Sequence, residues 1–262
     1  TNLSSIKRLN TSFDDLLDSD FCLFLGTNPK MEASLLNVRL KKRSTRGLFE
    51  TASIGIPEEL TYENSKEGST TSSLISFLEG KHPVCQKIVR AKKPVIFLGE
   101  SLYKTPFYKI FLENFFKQNS YIKVLKEGWF GLNFVSTTPN FTGHCFYSMP
   151  KINSLLSKKV VIGVGIDNAS SVTTLKPGFS SVSTSFGSNS LSKCDLTLPS
   201  STFTESIGTF LNMESRRQVT DIAFKAPKQA QKNTEIIETF SNFLEYPLLQ
   251  ETINFRYFQP EE

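Results

Sequence analysis

Three short segments of this chain share one design, and that design restricts the fold more than any other feature. Residues 18–29 read DSDFCLFLGTNP, residues 92–101 read KKPVIFLGES and residues 158–168 read KKVVIGVGIDN. In each, polar residues precede a short apolar run, and a glycine closes or interrupts its end. Short continuous apolar runs of this kind suit strands buried on both faces. Amphipathic stretches fall between them. Residues 31–42 place Leu35, Leu36, Val38 and Leu40 near helical spacing and end in basic residues, as a helix C-terminus does. Residues 72–78 and 83–89 read as two short helices broken by Gly80 and Pro83. Residues 106–117 carry an aromatic stripe of Phe107, Phe111, Phe115 and Phe116, together with Ile110, and the pattern predicts core packing. Strands alternating with helices define an α/β fold: a mostly parallel, doubly wound sheet with helices on both faces. Further strands are expected within 48–56, 179–185 and 195–198, and a late helix over 233–243. The stretch 126–147 mixes Trp129, phenylalanines and turn residues without a clear period, and its aromatics are candidates for an exposed interface.

Composition removes several functions. With 262 residues and 39% hydrophobic content, a sizeable core is available. The net charge is +5 and the basic residues are dispersed. The one cluster, Lys41, Lys42, Arg43 and Arg46, reads as a solvated helix end and gives no case for a nucleic-acid surface. No apolar run approaches the ~18 residues of a membrane span, so direct membrane insertion is not expected. The four cysteines, Cys22, Cys85, Cys145 and Cys194, are far apart and form no CxxC pair. Neither an iron–sulfur nor a structural zinc site is expected in this chain. The first residue is Thr, which is expected where a leader has been removed or where the chain begins inside a longer protein.

Ligand chemistry has few candidates. The turn after a parallel strand is where such sheets bind ligands. At 26–29, Gly26 allows close backbone approach, and Thr27 and Asn28 either bond a phosphate or cap the next helix, for which Asn28-Pro29 is well suited. Residues 163–168, GVGIDN, lack the third glycine of a dinucleotide fingerprint, and Asp167 reads as a turn residue. His82 and His144 stand alone, and His82, before Pro83, reads as a helix start. A denser polar set lies in 198–218, LPSSTFTESIGTFLNMESRRQ, with Thr204, Glu205, Asn212, Glu214, Arg216 and Gln218. No nucleophile pair or metal cluster accompanies it. Its carboxylates are expected to satisfy backbone groups and to pair with Arg216 or Arg217, as an internally satisfied polar network must.

The order of five segments carries a resemblance. Residues 18–42, 55–68 (GIPEELTYENSKEG), 80–101 (GKHPVCQKIVRAKKPVIFLGES), 160–168 and 196–220 (LTLPSSTFTESIGTFLNMESRRQVT) follow one another at family-like intervals. Together they resemble the C-terminal part of the largest hydrophilic-arm, NuoG-type or large iron–sulfur, subunit of respiratory complex I. The resemblance runs from about residue 12 to the end. It implies a molybdopterin-oxidoreductase-like fold kept without molybdenum chemistry. It implies that residues 1–262 form a single truncated α/β region of a split subunit, whose N-terminal iron–sulfur domains sit on a companion chain. No catalytic residue, cofactor or metal is then expected in this chain, and the iron–sulfur clusters belong to the companion. Gly26, Thr27, Asn28, Thr204, Glu205, Asn212, Glu214, Arg216 and Gln218 become candidates for a vestigial pocket. Where the family reads Glu-Gly-Arg, this chain reads Glu214-Ser215-Arg216, which disfavours close cofactor approach. The implied location is mitochondrial, on the matrix side of the inner membrane, among other peripheral-arm subunits. Two alternatives remain open. One is a fragment of an active molybdopterin oxidoreductase with Thr27, Asn28 and Arg216 as contacts. The other is a nucleotide-binding module using Gly26 and Gly165.

Overall fold

The computed structural model describes residues 7–55, 59–122, 124–146, 159–168, 172, 178–189 and 191–244, with side chains omitted at 118–122 and 146. Its contacts group the chain into two compact units, Thr1–Tyr147 with Leu211–Arg216, and Ser148–Phe210 with Arg217–Glu262.

The first unit is built on a five-stranded parallel sheet. Its strands are β1 (Phe21–Leu25), β2 (Glu50–Ile54), β3 (Ser65–Lys66), β4 (Pro94–Gly99) and, after a short β5–β6 hairpin (Leu125–Lys126, Trp129–Phe130), β7 (Leu132–Val135). The spatial order is β3-β2-β1-β4-β7, with every pairing parallel. Helices α1 (Pro29–Glu32) and α2 (Ser34–Ser44) connect β1 to β2. Helices α3 (Thr71–Leu78) and α4 (Pro83–Arg90) return the chain to β4, and α5 (Glu100–Tyr103) and α6 (Tyr108–Ile122) lead on towards β7. Alternation along the strands divides the core into two layers. Phe21, Leu23 and Leu25 face one way and pack with Phe77, Ile88, Phe111 and Phe115 from α3, α4 and α6. Cys22 and Phe24 face the other way, against Leu36 and Leu40 of α2. The doubly wound reading therefore holds, and the aromatic stripe of α6 is core as expected.

Local differences have local causes. The helix expected over 31–42 is two helices, because Ala33 leaves helical geometry at φ −147°. Arg43 is not a solvated helix end. It is buried, donates from Nε to the Ser19 carbonyl at 2.6 Å and from its terminal nitrogens to Gly47 and Leu48, and lies over the Phe49 ring. The stretch 126–147 offers one of its described aromatics as a surface, Phe130, which is 61% exposed. Trp129 and Phe134 are buried, and the Trp129 indole donates to the Pro94 carbonyl at 2.9 Å. Its α7 (Phe141–Phe146) follows β7, and Phe141 packs against Phe134.

The second unit carries β8 (Val160–Val164), β9 (Phe179–Thr184) and β10 (Leu196–Pro199) in the order β10-β9-β8, again all parallel. Its small core holds Val161, Val172 and Val182. The Asp195 carboxylate receives the Ser180 backbone N–H at 2.7 Å and hydroxyl at 2.8 Å, and these bonds hold it below the usual carboxylate range. The ribbon β11 (Thr209–Leu211) and β12 (Arg217–Val219) follows, with Leu211–Arg216 counted in the first unit, then α8 (Asn233–Phe243). Among the described residues no helix is long and apolar enough to cross a membrane, and no group of His, Cys, Asp and Glu could hold a metal.

Candidate functional site

In the first unit the winding reverses at β1: the chain runs outward to β2 and β3, then returns to place β4 on the other side of β1. In open parallel sheets, ligands enter at such a switch point, outside the carboxyl ends of the two strands. Gly26 occupies that position after β1 in the left-handed region at φ 62°. Its N–H donates to the Ile54 carbonyl at 3.1 Å, and its own carbonyl accepts the Ser101 hydroxyl. Gly99 closes β4 so near that a Cβ there would overlap the Gly26 carbonyl oxygen. The Thr27 hydroxyl donates to Glu32 at 2.6 Å. The Asn28 side chain caps α1, accepting from Lys30 and Met31, with Pro29 at the first helical position. The Thr27 hydroxyl and the Asn28 side-chain oxygen, both proposed for ligand contact on this turn, are thus engaged within the chain.

One group at the same edge escaped the sequence reading. Glu100 follows Gly99 directly and is 7% exposed. One of its oxygens accepts the Ser136 hydroxyl at 3.1 Å, the Thr137 N–H at 2.9 Å and the Thr137 hydroxyl at 2.6 Å. The other faces the Thr138 hydroxyl at 3.3 Å and Lys104 at 2.9 Å. These donors, the Thr137 hydroxyl foremost, pull its pKa down from 4.5 to about 2. A carboxylate held so firmly ionised is a poor general acid or base near neutrality. It ties the carboxyl ends of β4 and β7 together.

Beside the loop after β7 lies a cavity of about 270 Å³, lined among others by Lys7, Phe134, Thr137, Asn140, Phe141 and Met213. Its volume falls below the roughly 300–1,000 Å³ of small-molecule sites. Lys7 donates to the Tyr103 hydroxyl at 3.2 Å and sits over that ring.

The polar set of 204–218 is divided. Thr204, Glu205 and Gln218 belong to the second unit, and Asn212, Glu214 and Arg216 to the first. Glu205 accepts the Thr202 N–H at 3.0 Å, and the Thr204 hydroxyl meets that of Thr202 at 2.7 Å. Asn212 accepts the Arg216 N–H at 2.8 Å, and Glu214 accepts the Phe13 N–H at 3.0 Å. Both carboxylates thus serve backbone groups, where pairing with Arg216 or Arg217 was also expected. The side chains of Arg216 and Gln218 are exposed. In the second unit, Gly165 adopts φ 68° with Asn233 against it, and Asp167 is exposed. His82 caps α4, accepting the Val84 N–H, while its other ring nitrogen bonds the Glu67 carbonyl at 2.9 Å.

Ser215 keeps a glycine-like backbone at φ 65°, although its side chain is buried and its hydroxyl has no partner among the described residues. A left-handed conformation costs an L-residue roughly 1–2 kcal/mol. Glycine gives back about 0.5–1 kcal/mol through unfolded-chain entropy. Replacing Ser215 by glycine is therefore expected to stabilise the first unit by about 1 kcal/mol, read as a raised urea midpoint.

The fold and the site together define a doubly wound parallel α/β protein whose switch point is filled from within. The chain belongs to the molybdopterin oxidoreductase family, whose model matches residues 2–243. It is 31% identical over 243 residues to the NADH-ubiquinone oxidoreductase 75 kDa subunit of Reclinomonas americana, covering 90% of this chain and 35% of that protein. It is 30% identical over 241 residues to the mitochondrial NADH-ubiquinone oxidoreductase 78 kDa subunit of Candida albicans, covering 90% and 33%. To the mitochondrial NADH-ubiquinone oxidoreductase 78 kDa subunit of Neurospora crassa it is 28% identical over 240 residues, covering 90% and 32%. The chain thus spans about a third of the length of these relatives. Among solved structures, the formyltransferase/hydrolase complex FhcABCD of Methylorubrum extorquens, with methylofuran, shares the fold at a TM-score of 0.60 and 9% identity, over 91% of this chain and 78% of that one.

The family name implies a pterin cofactor, and the described residues at the switch point do not fit one. The Thr27 hydroxyl and the Asn28 side-chain oxygen are engaged, and the Gly26 and Gly99 backbones approach so closely that a Cβ at Gly99 would overlap Gly26.

Proposed function

We propose that this chain is a non-catalytic structural subunit of the peripheral, NADH-oxidising arm of mitochondrial respiratory complex I, on the matrix side of the inner membrane. It docks onto a companion chain that carries the N-terminal iron–sulfur clusters of the same split subunit. Electrons pass through those clusters, and this chain braces them and their neighbours. The relatives named as NADH-ubiquinone oxidoreductase subunits support the setting. The observation that carries the non-catalytic reading is the closure of the switch point by Gly26, Gly99 and Ser101. A packed parallel sheet persists without a ligand when its own groups occupy the ligand's place.

Purification of the intact complex tests this. The expected result is this chain together with an iron–sulfur chain, and no stoichiometric molybdenum or tungsten in the isolated chain. Stoichiometric molybdenum or tungsten would favour an active oxidoreductase fragment instead. Recovery of this chain only as a free monomer would remove the subunit reading.

A further inference from the structure

Residues 203–210 and 217–224 carry an unusual load of apolar surface within the second unit. Phe203 and Phe224 are 76% and 68% exposed, and Ile207, Phe210, Val219 and Ile222 are all more than a third exposed. This is not a frayed segment. The Thr204 carbonyl accepts the N–H groups of Ala223 and Phe224, and Thr220 exchanges bonds with Gly208, its N–H donating to the Gly208 carbonyl and its hydroxyl accepting the Gly208 N–H at 2.9 Å. The ribbon holds its shape through polar bonds while its large side chains stay in water. Exposed apolar side chains concentrated on one ordered segment mark a protein–protein contact. The exposed charges nearby in sequence are mainly positive: Lys225 and Lys228, against Asp221.

We infer that this ribbon is the docking surface for the companion chain, whose contacting face is apolar at its centre and acidic at its rim. The assignment rests on the subunit reading above. Its second support is length. The curated relatives are matched over only 32–35% of their own length, so in them the greater part of the polypeptide lies outside the matching region and is available to cover such a surface. The basic rim selects for carboxylates on the covering side, as electrostatic complementarity at interfaces requires.

The experiment uses the assembled complex. A photoreactive phenylalanine analogue is placed at Phe203 and, separately, at Phe224. Crosslinks are expected to the iron–sulfur companion, in a segment rich in apolar and acidic residues. The double variant Phe203→Asp, Phe224→Asp is expected to lower recovery with the companion by about tenfold or more, with an unchanged circular dichroism spectrum, as loss of aromatic hot spots does. Crosslinking to a second copy of this chain, or hydroxyl-radical labelling of these rings as fast in the complex as in the isolated chain, overturns the assignment alone. Absence of any iron–sulfur chain from the wild-type preparation overturns the subunit reading and this assignment together.

Discussion

Replacing Glu100 by alanine is expected to destabilise the first unit by about 2–3 kcal/mol, the size of losing hydrogen bonds to a charged acceptor. The side chain is 10% exposed, and its oxygens collect the Ser136, Thr137 and Thr138 hydroxyls and the Thr137 N–H. Truncation leaves several donors of the loop after β7 without their acceptor, a loss that water meets only in part because Thr137 and Thr138 are exposed and Ser136 is half-buried. The Lys104 contact contributes little, because that ammonium is 70% exposed and screened by water. The same carboxylate sets a pH window. Its pKa falls from 4.5 unfolded to about 2 folded, so the stabilisation is complete above about pH 4.5 and is lost as pH drops towards 2. A shift of that size corresponds to roughly 3 kcal/mol. Urea midpoints measured at pH 7 and pH 3 check both points: wild type weakens across this interval, and the alanine variant weakens less. Glu113 provides the contrast. It is 59% exposed and lies 4.0 Å from Lys109, so its replacement by alanine should leave the midpoint nearly unchanged.

The strands were legible where burial on both faces leaves an unbroken apolar run. FCLFL and PVIFLG become β1 and β4 with every residue buried, and the glycine closing each run marks the strand end. The helix over 233–243 carries its own amphipathic pattern and was equally legible. Elements of two or three residues were not. Ser65–Lys66 and Arg217–Val219 gain order from backbone pairing, and their side chains carry no period. The break at Ala33 is invisible in sequence, because alanine is a strong helix former and the turn is imposed by its surroundings.

The site was legible in part. Gly26, Thr27 and Asn28 could be located, since a glycine turn after a buried strand has a recognisable position. Their engagement could not be read, because the groups that close the turn, Gly99 and Ser101, come from the other side of the switch point. Glu100 was missed for the same reason. Its hydroxyl partners begin 36 residues later, and only the parallel pairing of β4 with β7 brings the two loops together. Trp129 and Phe134 could not be told from the exposed Phe130 because an aromatic in an unassigned segment has no face. Once β7 is known, Leu132–Val135 reads as another fully buried run.

Replacing Gly99 by alanine is expected to cost about 3 kcal/mol, at or above the upper end of the usual overpacking range. The new Cβ would meet the Gly26 carbonyl oxygen and carbon, and would lie 2.7 Å from the Thr27 Cβ. The oxygen and carbon are backbone atoms, so no rotamer change relieves the overlap, and the ends of β1 and β4 must separate. That separation also weakens the bond from the Ser101 hydroxyl to the Gly26 carbonyl, which rests on the same approach. Gly187 is the matched control: a Cβ there meets nothing within 4 Å, and alanine should change stability by less than about 0.5 kcal/mol. Denaturation of the two variants side by side distinguishes a closed switch point from an open one. An equal, small effect at both positions would mean that the β1–β4 crevice retains room for a ligand, and the non-catalytic reading would lose the observation it stands on.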